Sequence, residues 1–310
     1  MMTLAAGLDY VDLNFLGVRE IIATAVLHGS AGVALIDPGP STTLDSLKQS
    51  LRRKGVSIGD VRQLLLTHIH LDHAGATGAL VRENAAIEVF VHERGAPHMI
   101  EPSRLLASAE RLYGADMGRL WGDVLPVPAD RVRALKGEER ITVGGRELEV
   151  AYTPGHASHH VSYFDSSSRV AFVGDTAGIR RQGRDYVMPP TPPPDIDLDA
   201  WRASEDRILS WEPDTLFLTH FGPFHGARMH FQDMTERLAA WSGIVRRLLA
   251  DGSLDEEQRL RAFMNEALLD LKRKVGEFEA EQYGRAGRLD YSWHGLSRYW
   301  KKKMALSSAH

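Results

Sequence analysis

Residues 67–75 read Thr-His-Ile-His-Leu-Asp-His-Ala-Gly, directly after the apolar run Val61 to Leu66. Three imidazoles and a carboxylate within six residues, between a strand-like run and the helical pattern Gly75 to Glu83, constrain the fold strongly. The chain must carry this loop to a sheet edge where other loops can meet it. In extended backbone His68 and His70 point the same way, so both can reach one ion, while Asp72 and His73, at the turn into the helix, can face a second. Imidazole and carboxylate suit zinc, and also manganese or iron. The chain contains no cysteine, so any metal is held by nitrogen and oxygen, and iron–sulfur clusters, disulfides and a thiol nucleophile are excluded.

Other short Val-, Ile- and Leu-rich runs read as buried strands: Ile22 to Leu27, Val33 to Ile36, Ile87 to Val91, Leu148 to Ala151, Val170 to Val173 and Thr215 to Leu218. Helical patterns over Thr42 to Lys54, Gly75 to Glu83 and Asp199 to Ser210 alternate with them, which predicts a layered α/β domain. Val143-Gly144-Gly145-Arg146 reads as a tight hairpin. His156, Asp175 and His220 each follow one of these strands, where functional loops gather. The stretch Met188 to Pro194 holds five prolines and reads as a stiff loop able to return over such a site as a wall. Tyr186, Met188, Phe224 and His225 are the expected residues of a substrate pocket. Beyond residue 230 only helical periodicity remains, with a capping box expected from Ser253 to Glu256, an apolar stripe running on to Phe278 and a stop at Gly284. The sequence therefore divides into residues 1–230 and an all-helical region 231–310.

The segments THIHLDHAG, TPGHASHHVSY, FVGDT and LTHFG, in this order, resemble the metallo-beta-lactamase superfamily, specifically its dinuclear hydrolases of the glyoxalase II and lactonase kind. The resemblance covers roughly residues 20 to 225. It implies a four-layer αββα sandwich, here with an all-helical C-terminal extension. It also implies two divalent ions, most simply zinc, with manganese or iron as alternatives: His68, His70 and His156 on the first, Asp72, His73 and His220 on the second, and Asp175 bridging. Asp37, in the strand-end motif Val33 to Gly39, would support the ligands. True beta-lactamases of this fold lack the bridging aspartate, so antibiotic hydrolysis is not the expected activity.

What the resemblance implies chemically is a hydrolase in which a hydroxide bridging two ions attacks a thioester, lactone or ester carbonyl, with Asp72 as ligand and orienting acceptor. A phosphodiesterase using the same ions is the alternative. A net charge of −4 argues against a nucleic-acid partner. No apolar run approaches the roughly 20 residues of a membrane span, and the start shows no cationic leader pattern. The expectation is a soluble, cytoplasmic enzyme of a small molecule, with a homodimer through the helical tail as a further possibility. His28, His92, His98, His159, His225, His230, His294 and His310 read individually as surface or hydrogen-bonded residues, with His225 the best placed of them for a substrate role. His160 reads as structural.

Overall fold

The computed structural model describes residues 1–307; His310 lies outside the described residues. The first sheet runs in sequence order through β1 (Met2–Ala5), β2 (Leu8–Asp12), β3 (Ala23–Gly29), β4 (Gly32–Ile36), β5 (Val61–Leu65), β6 (Glu88–His92) and β7 (Val132–Leu135). The second contains β8 (Arg140–Val143), β9 (Arg146–Tyr152), β10 (Val161–Asp165), β11 (Val170–Phe172), β12 (Thr215–Leu218) and β13 (Gly222–His225), in spatial order β13-β12-β11-β10-β9-β8. Around them lie α1 (Leu44–Arg52), α2 (Leu71–Ala74), α3 (Thr77–Glu83), α4 (Ala96–Ile100), α5 (Ser103–Tyr113), α6 (Met117–Trp121), α7 (Leu198–Leu209), α8 (Ala227–Ala250), α9 (Glu256–Val275), α10 (Glu277–Ala286) and α11 (Leu289–Ser307).

Alternation along the strands assigns the layers. Ala23, Ala25 and Leu27 of β3 pack with Val150, Tyr163 and Phe172 of the second sheet. Val26 turns the other way, into the core shared with α1 and α3. In the second sheet Val170, Phe172 and Phe217 face inward, while Ala171, Leu216 and Leu218 face Ile208 of α7 and Phe231 of α8. The result is a four-layer αββα sandwich. β4 and β5 are parallel, as are β11 and β12, and β9 runs with β11 through its antiparallel neighbour β10. The C-terminal ends of these five strands therefore open toward one edge. There Val161 N donates to Thr67 O, Tyr163 Oη to Leu66 O and Ala23 N to Thr219 O, all at 2.8 Å, and clasp the two sheets together.

The hairpin between β8 and β9 has the expected two-glycine turn, with Val143 opposite Arg146 and φ of 58° and 90° at Gly144 and Gly145. The tail departs from its sequence reading. The α9 capping box is Asp255 with Gln258, while Ser253 bonds Asp251 instead. α9 ends at Gly276 (φ 82°), and Gly284 lies within α10 rather than stopping a helix. Phe278, expected in the apolar stripe, is 71% exposed. The boundary expected near residue 230 falls in the first turn of α8. Below it, Met188 and Trp201 share one core with Met234, Trp241, Phe263 and Trp293 of the tail. No helix among the described residues is long and apolar enough to cross a membrane.

Candidate metal centre

His68 and His70 leave the end of β5, and Asp72 and His73 occupy the short helix α2 that follows. His156 arrives on the loop after β9, Asp175 just after β11 and His220 just after β12. Their donor atoms converge in three overlapping groups, each within 4.8 Å: His68, His70 and His156; His68, His73 and Asp175; Asp72, His73 and His220. His73 Nε2 lies 3.1 Å from Asp175 Oδ1 and His156 Nε2 3.3 Å from Asp175 Oδ2. His220 Nε2 lies 3.3 Å from Asp72 Oδ2 and 3.5 Å from Asp175 Oδ1. Asp175 thus stands between the groups.

The outward nitrogens are tied down, and this sets which nitrogen of each ring faces inward. His73 Nδ1 donates to Asp37 Oδ2 (2.8 Å), His156 Nδ1 to Pro190 O (2.8 Å) and His220 Nδ1 to Ile21 O (2.6 Å). His68 Nδ1 lies 3.1 Å from Thr67 Oγ1, whose own proton goes to Asp37 Oδ2, so the imidazole is the donor there. Each of these four rings therefore turns Nε2 inward, where His156 Nε2 meets His70 Nδ1 at 2.9 Å. His68 Nε2, His73 Nε2 and Asp175 Oδ1 are buried and make no well-formed hydrogen bond within the described protein. Buried polar atoms left unsatisfied are expensive. A set of inward lone pairs and carboxylate oxygens fits divalent cations, which would satisfy all of them at once.

Asp37 is wholly buried with φ of 52°. Besides His73 it accepts from Thr67 N (2.8 Å), Thr67 Oγ1 (2.7 Å) and Thr219 Oγ1 (2.7 Å), so one carboxylate ties the ends of β4, β5 and β12 together. His160 lies behind Asp175: its Nε2 accepts from Asp175 N at 3.2 Å, and Nδ1 meets Thr153 Oγ1 at 3.0 Å. A side chain at Gly174 would collide with Thr67 Oγ1 and His160 Nε2, so the turn that presents Asp175 requires glycine.

Electrostatics divide the rings. Burial, reinforced by neighbouring imidazoles, holds His68 well below the ordinary histidine range and His70 down at about 4. Around His73 burial acts in the same direction, but Asp175, Asp37 and Asp72 outweigh it and hold the ring well above that range. At Asp72 the imidazoles of His73 and His220 outweigh burial and bring the carboxyl down to about 2. Asp175 is driven down by His73, His156 and His220 against the effect of burial. Both carboxylates are anionic at neutral pH, as ligands must be.

A cavity of about 120 Å³ opens over the centre, with His70, Asp72, His156, Asp175 and His220 on its floor. Met188 and Pro189 to Pro192 form one wall, as expected of the proline loop; Phe15, Tyr113, Leu120 and Trp121 form another. Arg285 to Arg288, Tyr291 and Ser292, around the α10–α11 junction, close the third side. Three expected pocket residues do not line it. Tyr186 is buried against the tail, with Arg237 over its ring at 3.9 Å and Tyr283 beside it. Phe224 lies under Arg180 in a separate cleft, and His225, exposed at the end of edge strand β13, bonds Thr215 Oγ1 of β12. Both belong to β13, which leaves the centre after His220, so nearness in sequence did not carry over to space. Tyr113, Trp121 and Tyr291 were not anticipated; they are ordinary aromatic residues of helices, with no motif around them.

A family model described as metallo-beta-lactamase superfamily matches residues 18–220. A metallo-beta-lactamase fold-containing protein of Sulfurisphaera tokodaii is 28% identical over 220 residues, 70% of this chain and 78% of its own length. The hydroxyacylglutathione hydrolase of Pseudomonas fluorescens is 25% identical over 282 residues, 87% of this chain and 89% of its own. A solved metallo-beta-lactamase family protein of Thermus thermophilus covers 98% of this chain and 96% of its own, with TM-score 0.68 and 22% identity, a likeness of fold.

Proposed function

The chain belongs to the metallo-beta-lactamase superfamily and is a metal-dependent hydrolase, and from that premise we propose that it cleaves a small thioester, lactone or ester at a dinuclear centre. His68, His70 and His156 would hold one ion, Asp72, His73 and His220 the other, with Asp175 shared. Two divalent ions so held, zinc before manganese or iron, would supply water of lowered pKa and polarise the acyl carbonyl. Asp72, anionic and on the cavity floor, orients the attacking water and can pass on its proton. Asp37 holds His73 in the required tautomer.

The observation that carries this reading is the convergence of seven donor residues, of whose inward atoms His68 Nε2, His73 Nε2 and Asp175 Oδ1 have no hydrogen-bond partner among the described residues. The preference for carbon over phosphorus rests on the cavity, whose walls are mostly aromatic, aliphatic and proline. Of its two exposed arginines, Arg288 is already paired with Asp290 at 2.6 Å, while Arg285 faces solvent without an ion pair among the described residues. The relative that hydrolyses hydroxyacylglutathione, matched over most of both chains, supports a thioester within this class.

The test is an initial-rate panel on zinc- or manganese-loaded protein with a glutathione thioester, an acyl-homoserine lactone, an aryl ester and an aryl phosphodiester, and Asp175→Ala as control. The expected result is a dominant carbon–sulfur or carbon–oxygen cleavage that falls at least ~100-fold in the variant. A dominant phosphodiester rate would overturn the assignment.

A further inference from the structure

The polar groups on the wall facing the centre are mostly committed within the protein, the exposed Arg285 apart. Tyr291 Oη donates to Leu112 O at 3.1 Å, Ser292 Oγ contacts Arg288 O, and Arg288 pairs with Asp290. Trp121 Nε1 and Thr191 Oγ1 lack partners but are sealed from the cavity's solvent. Tyr113 differs. It is the last residue of α5, half-buried, and lines the same cavity as Asp72, Asp175 and His220. No hydrogen bond ties its hydroxyl to any described residue.

Its ring is nonetheless fixed. Trp121 meets it edge-on at 5.0 Å and Tyr291 at 5.5 Å. Gly114, with φ of 53°, turns the chain immediately after it toward α6. The Tyr291 hydroxyl, bonded to the last turn of α5, ties α11 to the same support. A rigid ring with an uncommitted hydroxyl is the arrangement of a preorganised donor, since no protein bond has to break when it meets an oxygen.

We propose that Tyr113 is a catalytic residue of this enzyme, donating a hydrogen bond to the acyl oxygen as that oxygen gains negative charge. This rests on the acyl-hydrolase reading above. In that reaction the oxygen of water bonds to the carbonyl carbon, and the carbon–sulfur or carbon–oxygen bond breaks with its electron pair leaving on sulfur or oxygen. One proton of the water ends on the leaving group and the other is released from the new carboxylic acid. Tyr113 keeps its own proton throughout. Burial is the main cause that raises the phenol above its usual range.

Tyr113→Phe keeps the ring and its contacts and removes only the hydroxyl. With the best substrate of the panel, kcat should fall about 10- to 100-fold with KM changed less than about threefold, because the bond strengthens in the transition state. A second measurement needs no turnover. Calorimetric binding of methylphosphonate, a tetrahedral anionic mimic, to the zinc-loaded protein should weaken about 10-fold in the variant, the value of one charge-assisted hydrogen bond. Two metals per chain and an unchanged Tm in the variant would assign both losses to the hydroxyl. Wild-type kcat and wild-type phosphonate affinity in Tyr113→Phe would overturn the proposal. A parent enzyme silent on every acyl substrate would instead overturn the reading of the reaction, and the phosphonate result would then decide on Tyr113 by itself.

Discussion

Asp37 shows how much of this centre depends on a residue that need not touch metal. Four donors from the segments after β5 and β12 point at its carboxylate. Asp37→Ala leaves all four buried without that acceptor, so a stability loss of roughly 3 kcal/mol or more is expected in urea unfolding. Metal affinity should fall about 10- to 100-fold in a chelator competition. A loss under about 1 kcal/mol would show that the loops hold themselves. The donors were legible in the sequence because each sits within a few residues of the end of an apolar strand, and strand ends are read from hydrophobic runs. The wall residues were not. Tyr113 acquires its role from what lies opposite it, and no local spacing records that. Tyr186 and Phe224 illustrate the converse: near the ligands in sequence, they are turned into the tail core and a separate cleft.

At the scale of elements, two of the contacts that hold α7 in place are open to test. Gly155, with φ of 139°, lets the loop carrying His156 lie on the α7 backbone; a β-carbon there would come within 2.4 Å of Trp201 Cα. Gly155→Ala should cost at least ~2 kcal/mol, through overpacking and backbone strain, and lower activity by displacing His156. An unchanged Tm would contradict the packing argument. One turn further along α7, Glu205 is 5% exposed and accepts from Thr235 Oγ1 of α8. Burial pushes its carboxyl up from 4.5 to about 7. An acid with a raised folded pKa binds its proton more tightly when folded, so its contribution is lost as pH rises from about 4.5 through about 7 and is level above. Glu205→Gln should therefore stabilise the protein by ~1–3 kcal/mol at pH 8 and by nothing at pH 4.5, read from Tm against pH. A constant offset at both pH values would sink this. The tail boundaries were misread because Ser253–Glu256 and Asp255–Gln258 both satisfy a capping pattern. A local turn chose the second, since Asp251 engages the Ser253 backbone nitrogen and hydroxyl.

Across the whole molecule, the helical tail completes the fold and the cavity together. Trp201, Met188 and Ile179 share their core with five tail aromatics and aliphatics or more. Arg181, in the loop after Asp175, donates to Glu279 of α10 at 2.9 Å, and its backbone nitrogen donates to Tyr283 Oη at 3.1 Å. Unfolding in urea should therefore be one transition, coincident by far-ultraviolet circular dichroism and tryptophan fluorescence; two separated transitions would mean the tail is an independent unit. A layered α/β domain could be read from strand and helix alternation, and its four-layer form from the family resemblance, whereas the tail's docking could not, since its apolar stripes do not name their partner. All of this structure converges on the His and Asp cluster proposed to hold two ions. The most direct measurement is metal stoichiometry by mass spectrometry of protein stripped and reloaded with zinc, alongside Asp175→Ala. Two ions per wild-type chain, with at least one lost from the variant under the same chelator challenge, is the expected result. A wild-type chain that retains one ion or none, or a variant that still holds two as tightly, would contradict the dinuclear centre.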